Sequence, residues 1–169
     1  MAISMYSASV PVFTRMLGHL AAWLDKAEAH AQAKKFDSSV YLAARLAPDM
    51  LPLPKQIQIA CDAAKFGVAR LAGVEAPKFE DNEASLAELR ERIRKTVEFV
   101  RSVPAAAIDG TEDKDVTVPR RDGNIVLEGE FYLKHYVQPN FYFHVTTAYA
   151  LLRHNGVELG KGDYLGALQ

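Results

Sequence analysis

Two polar side chains lie four residues apart in the segment PNFYFHVTTAYALLRHNG, residues 139–156. On a helix, Asn140 and His144 would project from one face, one turn apart. An imidazole can act as a general base or a metal ligand near neutral pH, and an amide can orient a bound molecule. The alternative is structural: Asn140 helps to cap the helix, and His144 is a hydrogen-bonded core residue.

A carboxylate stands in an unusually apolar segment, IACDAAKFGVA, residues 59–69. Asp62 either faces the protein interior toward His144, where an imidazole would be the partner that a buried charge requires, or pairs with Lys65 on a solvated face. The first interpretation makes a polar site from Asp62, Asn140 and His144. The second leaves an ordinary ion pair.

Four further residues are candidates for lining a pocket. Arg45 and Asp49 lie in a linker near the mouth of the predicted bundle, and they either line a pocket or pair with each other, unless Arg45 reaches a buried acid. His19 is a candidate second imidazole, with core packing as the alternative. Tyr149 either presents its hydroxyl group to the pocket or packs against a neighbouring helix.

Composition excludes several classes of protein. The single cysteine, Cys61, allows neither an intramolecular disulfide nor a zinc site with several thiolates. The net charge of −1 favours neither nucleic acid nor an anionic membrane as a partner. There is no secretory signal, no run of eighteen apolar residues and no phosphate-binding or HExxH motif. We therefore expect a cytoplasmic protein, folded as one domain over residues 1–169.

Four segments have the apolar periodicity of helices. They span about residues 9–34, 54–73, 84–103 and 139–156. Ser85 and Glu88 fit a capping box at the start of the third helix, whose outer face is expected to pair Glu88 with Arg92. Pro139 is expected to open the fourth helix, because proline is favoured in a first turn.

The period changes in DVTVPRRDGNIVLEG, residues 115–129, where alternating apolar residues on either side of Asp122-Gly123 predict a β-hairpin. The following segment, residues 130–138, fits either a short helix or an extended strand. The elements together predict an all-α fold, a four-helix bundle with crossover connections and a small β-hairpin before the last helix.

Three segments resemble a known family. They are ARLAPDMLPLPKQIQIACDAAK, DNEASLAELRERI and PNFYFHVTTAYALLRHNGVELGKGDYLG. Together they resemble the DUF1993 family of uncharacterised bacterial proteins, which is grouped with the DinB/YfiT-like bundles. The resemblance covers nearly the whole chain, and it implies a DinB-like four-helix bundle that is often a homodimer.

The resemblance also implies a place for a metal. A DinB-like site typically has three histidines, one from the second helix and two spaced four apart on the fourth. His144 takes one of these places, Asn140 stands in another, and the second-helix position falls at or beside Cys61 or Asp62. A divalent transition metal held by His144, Asn140 and Asp62 is one expectation, although amide and carboxylate oxygens are weaker ligands for it.

Two functions are consistent with these residues. The first is a degenerate metal-type pocket that binds a small molecule or performs a transfer or hydrolysis, with His144 and Asp62 as candidate catalytic residues. The second is a non-enzymatic dimeric binding or stress-related protein, in which the polar cluster is structural. The two differ in whether Asp62, Asn140 and His144 converge on one cavity.

Overall fold

The computed structural model describes residues 3–167. Its four long helices are α1 (Val10–Lys34), α2 (Leu53–Ala72), α3 (Leu86–Ser102) and α5 (Gln138–His154). Shorter elements are 3-10 helices at Ser38–Ala43 and Ala105–Ala107, strands β1 (Asp115–Val118) and β2 (Ile125–Glu128), α4 (Gly129–Phe131), a π-helix (Tyr132–Val137) and α6 (Lys161–Leu165). The predicted helical fold with a hairpin before the last long helix is confirmed.

The long helices form a bundle with two diagonal connections. α2 packs mainly against α3 and α5, and α1 packs mainly against the same two helices, whereas α1 and α2 contact each other little. The chain therefore crosses the bundle between α1 and α2 and again between α3 and α5, as the crossover prediction requires. One continuous apolar core joins all four helices.

Local signals set the ends of two helices. The Ser85 side chain accepts a hydrogen bond from the Glu88 amide at 3.1 Å, so α3 begins where its capping residues predict. Gly73 ends α2 in the left-handed conformation, with φ 69°, which glycine adopts without steric cost. Among residues 3–167, none of the helices combines the length and apolarity needed to cross a membrane.

The last long helix begins within one residue of the predicted start, with Pro139 in the first turn of α5, but the chain is already helical before it. The helical chain begins at Gly129 and continues through the π-helix into α5. The Gln138 amide donates five residues back to the Leu133 carbonyl, and the next residue, Pro139, has no amide proton to donate. The wider π turn keeps the chain helical up to the proline, which an expectation of uniform α-helical turns does not anticipate.

The hairpin and the π-helix both lie close to α2. Val116 pairs with Leu127 and Val118 with Ile125, and β1 turns its two valines into the protein against α2. A Cβ atom on Gly67 would lie only 2.6 Å from a methyl group of Val137. The absence of a side chain at Gly67 thus lets the π-helix approach α2, and this approach forms one wall of the cavity described next.

Candidate functional site

A cavity of about 150 Å³ lies between α2, the π-helix, the start of α5 and the end of β1. Its apolar walls include Ile59, Phe66 and Val118. Its polar lining consists of Asp62, Arg70, Tyr132, Tyr136 and Asn140. A half-open cleft with apolar walls and several polar groups can hold a small molecule.

Two helices supply the polar lining. Asp62 and Arg70 lie on the same side of α2, two turns apart, so α2 places one charge at each end of the cavity. Tyr132, Tyr136 and Asn140 are spaced by four along the last helical segment. Both tyrosines belong to the π-helix, and such insertions often occur at functional sites.

Arg70 is fixed in place by two aromatic residues. Its Nη1 donates to the Tyr132 hydroxyl oxygen at 3.1 Å, and its guanidinium group lies 5.0 Å from the centre of the Phe66 ring. The Tyr132 hydroxyl group donates in turn to the Phe66 carbonyl at 3.2 Å, and burial raises the pKa of Tyr132. No carboxylate of residues 3–167 pairs with Arg70.

Asp62 has two cationic partners. Its carboxylate oxygen lies 2.9 Å from Lys65 Nζ and 3.1 Å from Arg92 Nη2. The second interpretation of the sequence predicts the Lys65 pair correctly, but its solvated face is wrong, because the Lys65 side chain is only 2% exposed. Asp62 lines the cavity, but its charge is already compensated.

Arg92 does not lie on the exposed face of α3, and its predicted pair with Glu88 is wrong. Its side chain is only 2% exposed, and Nη1 lies 3.0 Å from both Asp81 and Glu83. The loop between α2 and α3 folds back over both helices and supplies these two acids. The Phe79 ring of the same loop lies 4.3 Å from Lys65 Nζ. The acidic residues of this loop are the sequence signal for the burial of Arg92. No local pattern, however, shows which helices a loop will cover.

His144 lies outside the cavity, one helical turn beyond Asn140. Its Nδ1 lies 2.7 Å from Gln56 Oε1, and Gln56 Nε2 donates to the Leu51 carbonyl at 2.9 Å. Burial lowers the pKa of His144, which favours the neutral imidazole. Sequence reasoning missed Gln56, since a single glutamine in a first helical turn gives no pattern.

Comparison with known proteins agrees with this architecture. The model of a domain of unknown function, DUF1993, matches residues 5–165. The chain belongs to the DUF1993 family. A crystal structure of a DinB family member protein from Shewanella denitrificans is 47% identical, with a TM-score of 0.91 over 96% of this chain and 92% of that chain. No curated protein matches the chain.

The residues of this DUF1993 protein do not fit the metal that the DinB resemblance implies. His144 is hydrogen-bonded to Gln56 outside the cavity, whereas Asp62 and Asn140 line the cavity. Nowhere in residues 3–167 do three His, Cys, Asp or Glu side chains group so as to hold a metal ion. Cys61 is buried, and burial raises the pKa of its thiol to about 12, so it stays protonated.

The other candidates of this DUF1993 protein lie away from the cavity. Arg45 donates to the Met50 carbonyl rather than to Asp49, which is exposed and has no ion-pair partner among the described residues. His19 Nδ1 lies 3.0 Å from the Tyr164 carbonyl oxygen, at the contact between α1 and α6. Tyr149 packs against the Trp23 ring, with ring centres 5.4 Å apart.

Proposed function

We propose that this DUF1993 protein binds a small organic molecule in the cavity between α2, the π-helix and the hairpin. The main support is the state of three polar side chains that line it. Arg70 has no carboxylate partner, and the side chains of Tyr136 and Asn140 make no hydrogen bond within residues 3–167. Tyr136 is exposed, and Arg70 and Asn140 are half-buried, so their polar atoms are open to a molecule that enters the cavity.

The size of the cavity limits the ligand. A cavity of about 150 Å³ is the size that holds a benzene ring in an engineered protein. The apolar walls favour a compact body, and the polar groups at the edges would fix its orientation.

Binding is a better-supported proposal than transfer or hydrolysis. His144, the candidate general base, does not line the cavity, and the Asp62 carboxylate is held by two cations. His144 is not placed to take a proton from a molecule bound beside Asn140, and the charge of Asp62, which does line the cavity, is compensated by Lys65 and Arg92. We therefore assign binding roles to Arg70, Tyr136 and Asn140 and no catalytic role to Asp62 or His144.

A fragment titration tests the proposal. Nitrogen-15-labelled protein would be titrated with a mixture of anionic, neutral and cationic ring-sized fragments while backbone amide shifts are recorded. We expect the largest shift changes at Phe66, Tyr136 and Asn140. The variant Ala63→Leu, which fills the cavity, should abolish them, whereas the exposed control Ala22→Leu should retain them. Shift changes elsewhere only, or none, would refute a binding cavity.

A second candidate is a non-enzymatic protein, dimeric as the resemblance to DinB-like bundles implies, and a different observation favours a structural role for its polar cluster. The charges around Asp62 and the Nδ1 atom of His144 are satisfied within the chain, as in structural networks. Light scattering on the purified protein tests the dimer. A mass twice the 18.7 kDa of one chain supports it, and a mass equal to one chain contradicts it.

A further inference from the structure

We infer that the ligand of the cavity is a small organic monocarboxylate with a compact apolar body. This inference rests on the proposed binding function, and it concerns the chemical class of the ligand.

Among residues 3–167, no neighbouring carboxylate neutralises the positive charge of Arg70. Asp62 belongs to a network in which three carboxylates face three cations, so the network is neutral. Its members are Asp62, Asp81, Glu83, Lys55, Lys65 and Arg92. Arg70 lies outside this network and is half-buried without a carboxylate partner in residues 3–167. An anion from solution is the partner that Arg70 lacks.

The geometry of Arg70 suits a planar anion. Tyr132 uses one N–H of the guanidinium group and, with Phe66, fixes its plane. Several N–H donors remain, and a fixed guanidinium fork matches the two oxygens of a carboxylate. The Asn140 amide and the Tyr136 hydroxyl group are further donors in the same lining.

The mouth of the cavity adds positive charge. A shallow outer groove shares Pro119 and Tyr136 with the cavity and is also lined by Arg120, Arg121 and Asp122, which leaves one net positive charge. Arg120 lies 3.3 Å from Asp122, whereas Arg121 has no carboxylate partner among the described residues. Positive charge at an entrance raises the local concentration of anions.

Asp62 limits the ligand to one negative charge. It lies eight residues from Arg70 along α2, a separation of roughly 12 Å at 1.5 Å per residue. A second carboxylate at that end would approach the oxygens of Asp62. The walls between, which include Ile59, Phe66 and Val118, suit an apolar ring or short chain.

Matched probes separate the ligand classes. Benzoate, the neutral benzamide and the cationic benzylamine have similar shapes, and terephthalate adds a second carboxylate to benzoate. Each would be titrated at pH 7 and followed by amide shifts. We expect benzoate to bind at the cavity at least tenfold more tightly than the other three. Equal or tighter binding of benzamide, benzylamine or terephthalate would overturn the inference and leave the binding proposal intact.

Variants of Arg70 complete the test. Arg70→Gln should abolish the preference for benzoate over benzamide, and Arg70→Lys should retain a weaker preference, because lysine keeps the charge but loses the fork. The exposed control Arg101→Gln should behave as the parent protein. Thermal melting of each variant shows that the fold is intact. An undiminished preference in a folded Arg70→Gln protein would overturn the inference, as would failure of benzoate to bind while other fragments occupy the cavity.

Discussion

The two polar regions of α2 differ in how their groups are satisfied. Toward α3, Asp62, Lys65 and Arg92 form a network in which each charge has a partner of opposite sign. Two turns along α2, Arg70 lines the cavity with Asn140 and makes no ion pair within residues 3–167. The same helix thus contributes to a closed network at one end of the cavity, around Asp62, and to an open set of donors at the other end, around Arg70.

This difference separates structural from binding roles. A closed network in a poorly solvated place stabilises one arrangement of the chain, and removal of any member leaves a charge unpaired. Open donors in a cavity contribute little to folding and become useful when a ligand is present. We therefore expect substitutions in the network to reduce stability and substitutions in the cavity to reduce binding.

The largest expected effect is that of Arg92→Leu. Glu83, only 9% exposed, and Asp62 would lose a buried cation, and the expected loss in free energy of unfolding is about 3–5 kcal/mol. Arg101→Leu, an exposed control on the same helix, should change stability by less than about 0.5 kcal/mol. Urea denaturation measures both. Similar midpoints for the two variants would show that the network is not structural.

The hydrogen bond between Gln56 and His144 should give an intermediate effect. Gln56→Leu leaves the Nδ1 atom of a buried imidazole without its partner, at an expected cost of about 1–3 kcal/mol. Gln32→Leu, at an exposed position of α1, is the control. The double variant Gln56→Leu/His144→Phe removes both polar partners and should be more stable than Gln56→Leu alone. A double variant that is less stable would contradict this account.

A smaller effect is expected from pH. Because burial lowers the pKa of His144, the unfolded chain binds a proton more readily than the folded protein. The stability that the neutral His144 imidazole allows is therefore complete above its pKa in the unfolded chain, about 6.5. It is lost as the pH falls through that value toward the lowered pKa of the folded protein. His144→Gln should flatten this dependence in denaturation measured from pH 7.5 to 5, and the exposed control His154→Gln should not. Equal slopes of the free energy of unfolding against pH for the parent protein and His144→Gln would contradict this expectation.

The smallest effect on stability is expected in the cavity. Asn140→Ala removes a side chain that makes no hydrogen bond within residues 3–167 and should change the free energy of unfolding by no more than about 0.5 kcal/mol. Asn155→Ala removes a hydrogen bond of 2.8 Å to the Leu151 carbonyl and should cost about 0.5–1.5 kcal/mol. Thermal or urea denaturation compares them. A larger loss at Asn140 than at Asn155 would place Asn140 among the structural residues.

Sequence patterns predicted the elements whose signals are local. Ser85 begins α3, Gly73 ends α2, and the Asp62–Lys65 pair follows from a spacing of three on a helix. These features depend on residues within one or two turns of each other. They can be recognised without knowledge of the fold.

The features that define the site depend on distant residues or on unusual backbone geometry. Arg92 is buried because the loop that carries Asp81 and Glu83 folds back across the bundle. The cavity depends on a π-helix, which a search for α-helical periodicity does not reveal. A polar site made of Asp62, Asn140 and His144 requires that all three line one cavity. Asn140 and Asp62 do so, but His144 is hydrogen-bonded to Gln56 outside it.

A crystal structure of the protein with benzoate tests the central claim most directly. We expect benzoate in the cavity, with its carboxylate within hydrogen-bonding distance of the Arg70 guanidinium group. We also expect an unchanged ion network around Asp62 and Arg92. A cavity that contains no benzoate at a concentration that saturates the solution titration, or a carboxylate directed away from Arg70, would contradict the account.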